Sequence, residues 1–266
     1  MARRAWIRTA VSAALLLSPG LAPVAAAATT ADGPSARELV HQAKKNLLDA
    51  ESVHLKLTDR GADTKTSRTQ PTSMDLALDQ DGNCAGSLRM GSGGGGVEII
   101  KRGDEVWMKP DTAFWKAQVP GGQGDAVAEL FKNLPHSQLR SSGGTPIIHG
   151  STHDAMLRGM ADTCDLTSFQ KDITGDSSDP GRLTKGRETR IDGTDVIPLK
   201  GTSEGNSVVL YVTSDSPHRL VRATQKGAGT DTTLSLSDYG EPVPSKTPSA
   251  DDSVDVGKLQ DELQGV

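Results

Sequence analysis

SMDLALDQDGNCAGSLRMGSGGGGVEIIKRGDEVWMK, residues 73–109, decides how the chain folds. Met74, Leu76 and Leu78 alternate with Asp75, Ala77 and Asp79, the period-two pattern of a strand with one buried face. Asp81-Gly82 is a hairpin signal, and the chain returns through Cys84, Gly86, Leu88 and Met90. A glycine run follows, then VEIIK, a turn at Arg102-Gly103-Asp104, and EVWMK. Short strands joined by short turns make an antiparallel meander.

The glycine run tests that reading. Gly91, Gly93 and Gly96 satisfy G-x-G-x-x-G, the dinucleotide fingerprint. The fingerprint needs a helix after the glycines, because the helix amino terminus holds the pyrophosphate. Here Val97, Ile99 and Ile100 follow, a strand sequence, and no Lys-Ser or Lys-Thr completes a P-loop. The glycines read as a hairpin loop, where positive φ costs little.

Upstream, PSARELVHQAKKNLLDA (residues 34–50) is a helix opened by a capping box of Ser35 and Glu38. Leu39, Val40, Ala43, Leu47 and Ala50 share one face. In SVHLKLT, Val53, Leu55 and Leu57 face one way and His54 and Lys56 the other. Downstream, DTAFWKA, GDAVAELFKNL and STHDAMLRGMADTCDLTSFQKDI read as helices, the last with a break at Gly159. Strands resume with GRETRI, DVIPLK, NSVVLYVT, HRLVRATQK and TTLSLSDYG. EPVPSKTPSADDSVDV is proline-rich and extended, and a short helix is expected near GKLQDEL. Strands in runs, not alternating with helices, predict an α+β fold. About ten strands form one strongly curved antiparallel sheet, a half-open barrel, with helices over its concave face.

The first 28 residues, MARRAWIRTAVSAALLLSPGLAPVAAAA, have the form of a signal peptide: Arg3, Arg4 and Arg8, a short apolar core from Val11 to Leu17, and small residues at Ala25 to Ala28. Arg3-Arg4 also fits a twin-arginine signal. The core is too short for a permanent membrane span, and no later segment reaches the ~20 apolar residues a transmembrane helix needs. No cysteine sits at the cleavage region to take a lipid anchor. Residues 29–33 read as a disordered stub and residues 34–266 as a single domain, secreted or extracytoplasmic.

Removing residues 1–28 takes away three arginines and no acid, moving the net charge from −5 to −8. An acidic chain argues against nucleic acid as a partner. Cys84 and Cys164 both lie in the exported part, where a pair without other thiols bridges; the alternative is two buried thiols.

Several motifs fit chemistry by spelling only. GTSEG (residues 201–205) matches the G-x-S-x-G elbow, but a strand follows where the elbow needs a helix, so Ser203 reads as a turn residue. His218 and Asp238 come downstream in the wrong order for a hydrolase triad. His149 and His153, with Asp154, lack the zincin glutamate, and Ser151 or Thr152 reads as a helix cap, so no metal site is expected. Arg102-Gly103-Asp104 is a turn before it is an adhesion motif. Asp79 and Asp81 precede a glycine too early for an EF-hand. Trp107 and Trp115 suit either the core or a cavity wall. No catalytic constellation and no cofactor is expected.

The order of SVHLKL, GNCAGSLRM, VEIIKRGDEVWMKPDTAFWK, RIDGTDVIPLK, VVLYVTSDSPHRLVRA and LSDYGEPV resembles the LolA-like superfamily and its mycobacterial lipid-carrier lipoproteins of the LppX-LprAFG type. The resemblance covers roughly residues 34–260. It implies a half-open barrel whose cavity takes acyl chains, and a disulfide from Cys84 on the sheet to Cys164 on a helix. Many such proteins carry a lipidated amino-terminal cysteine, which this sequence does not show. The expectation is a non-enzymatic carrier of lipid or another amphiphile, lined by Val40, Leu47, Met74, Leu76, Leu78, Trp107 and Leu236. An envelope regulator that binds a partner protein is the alternative, and a cell-wall hydrolase a weaker one.

Overall fold

The computed structural model describes residues 33–118, 124–125, 147–174 and 183–257. The chain opens with α1 (Ala36–Leu48), where Ser35 Oγ accepts from Glu38 N and the Glu38 carboxylate accepts from Ser35 N at 2.7 Å. Next come β1 (Ser52–Asp59), the short α2 (Ala62–Thr66), and the meander β2 (Pro71–Asp79), β3 (Cys84–Met90), β4 (Gly96–Arg102) and β5 (Glu105–Pro110). The glycine run is the β3–β4 loop, as its composition predicts, with Gly93 and Gly95 at φ +72° and +76°.

After α3 (Thr112–Gln118), the chain adds β6 (Ile147–Ser151), α4 (Ala155–Ala161), a 3₁₀ turn (Asp162–Cys164) and α5 (Leu166–Thr174). Two short strands, β7 (Thr184–Lys185) and β8 (Thr189–Ile191), precede a second meander. That meander is β9 (Thr194–Ser203), β10 (Asn206–Thr213), β11 (Leu220–Gly227) and β12 (Thr230–Ser237). A long extended segment then leads to β13 (Ser253–Asp255).

All thirteen described strands join one open sheet in the order β13-β6-β5-β4-β3-β2-β1-β12-β11-β10-β9-β7, with β8 also on β9. The pairing of β12 with β1 fuses the two meanders. The sheet is antiparallel except where β13 runs parallel to β6. The fold is therefore α+β around a mixed sheet, with a parallel strand at one edge that the antiparallel expectation did not include.

Cross-strand register shows why one face needs a roof. One row runs Leu199, Leu210, Ala223, Leu234, Leu57, Met74, Leu88, Val97, Pro110. The next runs Leu236, Leu55, Leu76, Gly86, Ile99, Met108, Ile148. Nearly every position of this inner face is apolar, and burying it at ~25 cal/mol per Å² drives the helices onto it. Helix α1 contributes Leu39, Ala43 and Leu47; α4 Leu157 and Ala161; α5 Leu166; α3 Phe114 and Trp115. Gly86 breaks the second row because β2 and β3 press together there: a Cβ would stand 2.0 Å from the Asp75 carbonyl oxygen.

Two devices fasten the roof. Cys84 on β3 is disulfide-bonded to Cys164 after α4, with Cα atoms 5.4 Å apart. Gln170 of α5, only 3% exposed, donates through Nε2 to the carbonyls of Leu47 (2.7 Å) and Ala50 (2.9 Å) at the carboxyl end of α1. Carbonyls at a helix end have no partner within their own helix, so one amide caps α1 and ties it to α5.

Some local expectations change. The long helix expected over residues 151–173 begins only at Ala155 and breaks at the 3₁₀ turn, not at Gly159. Its start is Asp154, whose carboxylate accepts from Ser151 N at 2.6 Å, so Ser151 and Thr152 are not the cap. The helix expected at GDAVAELFKNL, apart from Gly124 and Asp125, and most of the one at GKLQDEL lie outside the described residues, as does the expected signal peptide over residues 1–28.

Candidate functional site

The residues predicted to line a cavity divide between the two faces. Val40 and Leu47 lie on the sheet-facing side of α1; Met74, Leu76, Leu78 and Leu236 lie on the inner face of the sheet. Trp107 does not: it pairs with Ile100 and His149 and points to the outer face, between the inward Val106 and Met108. Three consecutive apolar residues hide the strand's parity, because both faces of β5 are covered.

On the inner face, exposure changes from row to row. The row through Leu236, Leu55, Leu76, Ile99, Met108 and Ile148 is buried throughout. In the neighbouring row Leu210, Ala223, Leu57 and Met74 are only half-buried, as is Val40 of α1, while Leu234 between Ala223 and Leu57 is buried. The roof thus closes one end of the inner face and leaves an apolar strip, from β10 to β2, partly open at the other. Leu47, Leu76, Leu78 and Leu236 belong to the sealed end; Val40 and Met74 belong to the open strip.

The outer face carries a groove of about 650 Å³ across β3–β6. Ala85, Ile100, Trp107, Ile147 and Pro248 form its apolar end, and Arg89, Glu98 and Lys109 its polar end. The Trp107 indole is stacked on the His149 ring, centroids 4.7 Å apart.

Pro248 belongs to the segment between β12 and β13, an extended strap along the outer face. Gly240 N donates to the Ser52 carbonyl (3.0 Å), Ser52 Oγ donates to the Glu241 carbonyl (2.6 Å), and Arg102 Nη2 donates to the Val243 carbonyl (3.2 Å). Val243 is buried beneath it. Its far end is pinned by the β13–β6 pairing.

At the root of the strap His54 lies between two carboxylates. Nε2 is 2.5 Å from Asp75 Oδ1 and Nδ1 is 3.1 Å from Asp238 Oδ2. Lys56 Nζ stands 3.2 Å from the other Asp75 oxygen. Burial pushes the Asp75 carboxyl up, but the hydrogen bonds and charges of His54 and Lys56 together outweigh it and hold it below the ordinary carboxylate range. No signal in the sequence brings these residues together; only the β1–β2 and β1–β12 registers do.

The remaining motifs fall where their flanks placed them. Ser203 ends β9, and Glu204 and Gly205, both at positive φ, turn the chain into β10 with no helix. His149 is on β6 and His153 in the exposed turn beyond it. His218 Nδ1 is 2.8 Å from the Thr213 carbonyl, away from Ser203. Among the described residues no three His, Cys, Asp or Glu side chains are placed to hold a metal ion, and no helix is long and apolar enough to cross a membrane.

No protein-family model matches the chain, and no curated protein matches it in sequence. Solved structures do. LprF from Mycobacterium bovis superposes with a TM-score of 0.51 over 81% of this chain and 97% of its own, at 14% identity. The lipoprotein LppX from Mycobacterium tuberculosis covers 77% of this chain and 95% of its own at 14% identity, with a TM-score of 0.44. At such identity the likeness is one of fold. The chain shares the fold of LprF, one open sheet roofed by helices.

Proposed function

We propose that this is an exported, non-enzymatic protein that binds a hydrophobic or amphiphilic ligand, with lipid the favoured class, on the inner face of its sheet. The observation that carries the reading is the set of half-buried apolar residues Leu210, Ala223, Leu57, Met74 and Val40, gathered about the buried Leu234 beside a sealed core. Apolar side chains left in water cost free energy, and contiguous ones mark a surface that takes an apolar partner. An acyl chain laid along the strip leaves water at ~25 cal/mol per Å² buried, while its head group stays at the solvent edge. The shared fold with LprF supports the reading.

The test is extraction of the purified protein with organic solvent, followed by mass spectrometry, for wild type and for Leu57→Glu and Met74→Glu. Co-purifying amphiphile in wild type, and its absence from variants with an unchanged circular dichroism spectrum, is the expected result. A wild-type protein that carries no amphiphile and binds none added back, with the strip occupied by its own side chains, would overturn the proposal.

A further inference from the structure

We propose that His54 is a proton-operated clasp for the carboxy-terminal strap, and hence for access to the outer groove. A neutral imidazole has one N–H and one acceptor nitrogen. His54 places both ring nitrogens against carboxylate oxygens, at 2.5 and 3.1 Å. Carboxylates only accept, so both contacts are hydrogen bonds only when the ring is an imidazolium that donates twice. Losing the ring proton leaves one carboxylate facing a nitrogen lone pair.

Of the two carboxylates, Asp238 is the one that a neutral ring releases. Asp75 is on β2, fixed by the β1–β2 ladder and by Lys56, and its hydrogen bond to the ring is the shorter. Asp238 lies just beyond β12 at φ +52°, outside the ladder, in a left-handed turn that Asp tolerates. The other charged and polar groups at the ring are accounted for. Lys56 is turned to Asp75, and Ser237 Oγ donates to Asp238 at 3.2 Å without neutralising it.

Asp238 is the first residue of the strap; Tyr239, whose hydroxyl donates to the Leu220 carbonyl at 2.7 Å, follows it, and Gly240, Glu241 and Val243 are the next residues anchored along the outer face. The same strap supplies Pro248 to the wall of the groove. A protonated ring therefore holds the strap down over the apolar end of the groove, and a neutral ring loosens it. This device works on the face opposite the proposed ligand strip and does not depend on that strip being occupied.

Amide hydrogen exchange read as protection factors tests it, since these remove the intrinsic pH effect on exchange. For wild type, protection at Gly240 and Glu241, whose amides donate to the Ser52 and Asp238 carbonyls, should fall about fivefold across the pH step at which nitrogen chemical shifts show the His54 ring losing its proton. His54→Gln, which offers one donor at every pH, and Asp238→Asn, which removes the charge, should show no such change, while β1–β2 amides stay protected in all three. A flat wild-type profile, or the same slope in both variants, would overturn the proposal. So would nitrogen chemical shifts showing the His54 ring neutral throughout with the strap equally protected.

Discussion

At the residue scale, single polar side chains decide what the apolar pattern leaves open. Gln170 is the clearest case: a buried amide whose Nε2 serves two helix-end carbonyls. Gln170→Ala removes one donor from each acceptor, leaving Ala50 N on the Leu47 carbonyl at 3.3 Å and Gln80 Nε2 on the Ala50 carbonyl at 3.1 Å. Each lost hydrogen bond costs ~0.5–1.5 kcal/mol, so urea denaturation should show a drop of about 1–3 kcal/mol. A change within error would mean that water or Gln80 takes over. Asp75 makes a pH prediction with a definite sign. Its folded pKa is lowered, so its stabilising contribution is complete above the unfolded value, about 3.9, and is lost as pH falls through the folded value. Asp75→Asn should remove part of the drop in urea midpoint seen on acidification below about pH 4. Neither role is legible in the sequence. Gln170 sits in a polar run, and Asp75 meets His54, 21 residues away on β1, which in turn reaches Asp238 at the strap root. Trp107 defeats a sequence reading for the opposite reason: it lies in an apolar run that gives no parity.

At the scale of elements, alternation is readable wherever one strand face meets solvent. The strands β1 to β4 and β9 to β12, the capping-box helix and the β3–β4 glycine loop follow from spacing alone. What does not follow are the pieces fixed by distant partners. β13 is three residues long and exists because β6 offers it a parallel edge. β6 itself escapes a sequence reading because IIHGS is too short to show a period. The disulfide is legible as a pair of cysteines without other thiols, but its role depends on topology: it spans 80 residues and joins the sheet to the roof. The loop-entropy model gives such a link about 4–5 kcal/mol. Cys84→Ser/Cys164→Ser should therefore lower the unfolding free energy by roughly that amount, measured by urea titration. Because both cysteines are fully buried, dithiothreitol should act on wild type only under conditions that already open the roof. A double variant as stable as wild type would mean that Gln170 and the packing of α1 alone hold the helices down.

At the scale of the whole molecule, one sheet separates two environments, and that separation can be read by spectroscopy. A chain begun after residue 28 carries two tryptophans, Trp107 and Trp115. Trp115 packs in the roofed core on the inner side of the sheet, edge-on to Phe114 at 6.3 Å. Trp107 is across the sheet, stacked on His149 beside the groove. A ligand on the inner strip should therefore change the emission of Trp115 and leave that of Trp107 unaltered. With a brominated fatty acid as probe, Trp107→Phe should keep the quenching and Trp115→Phe should abolish it. Opposite behaviour of the two variants would move the amphiphile site to the outer groove, and quenching in neither would argue against bound acyl chains on both faces. The assignment of faces rests on a register in which Val106 and Met108 point in and Trp107 points out, so the same pair of variants also tests the sheet itself.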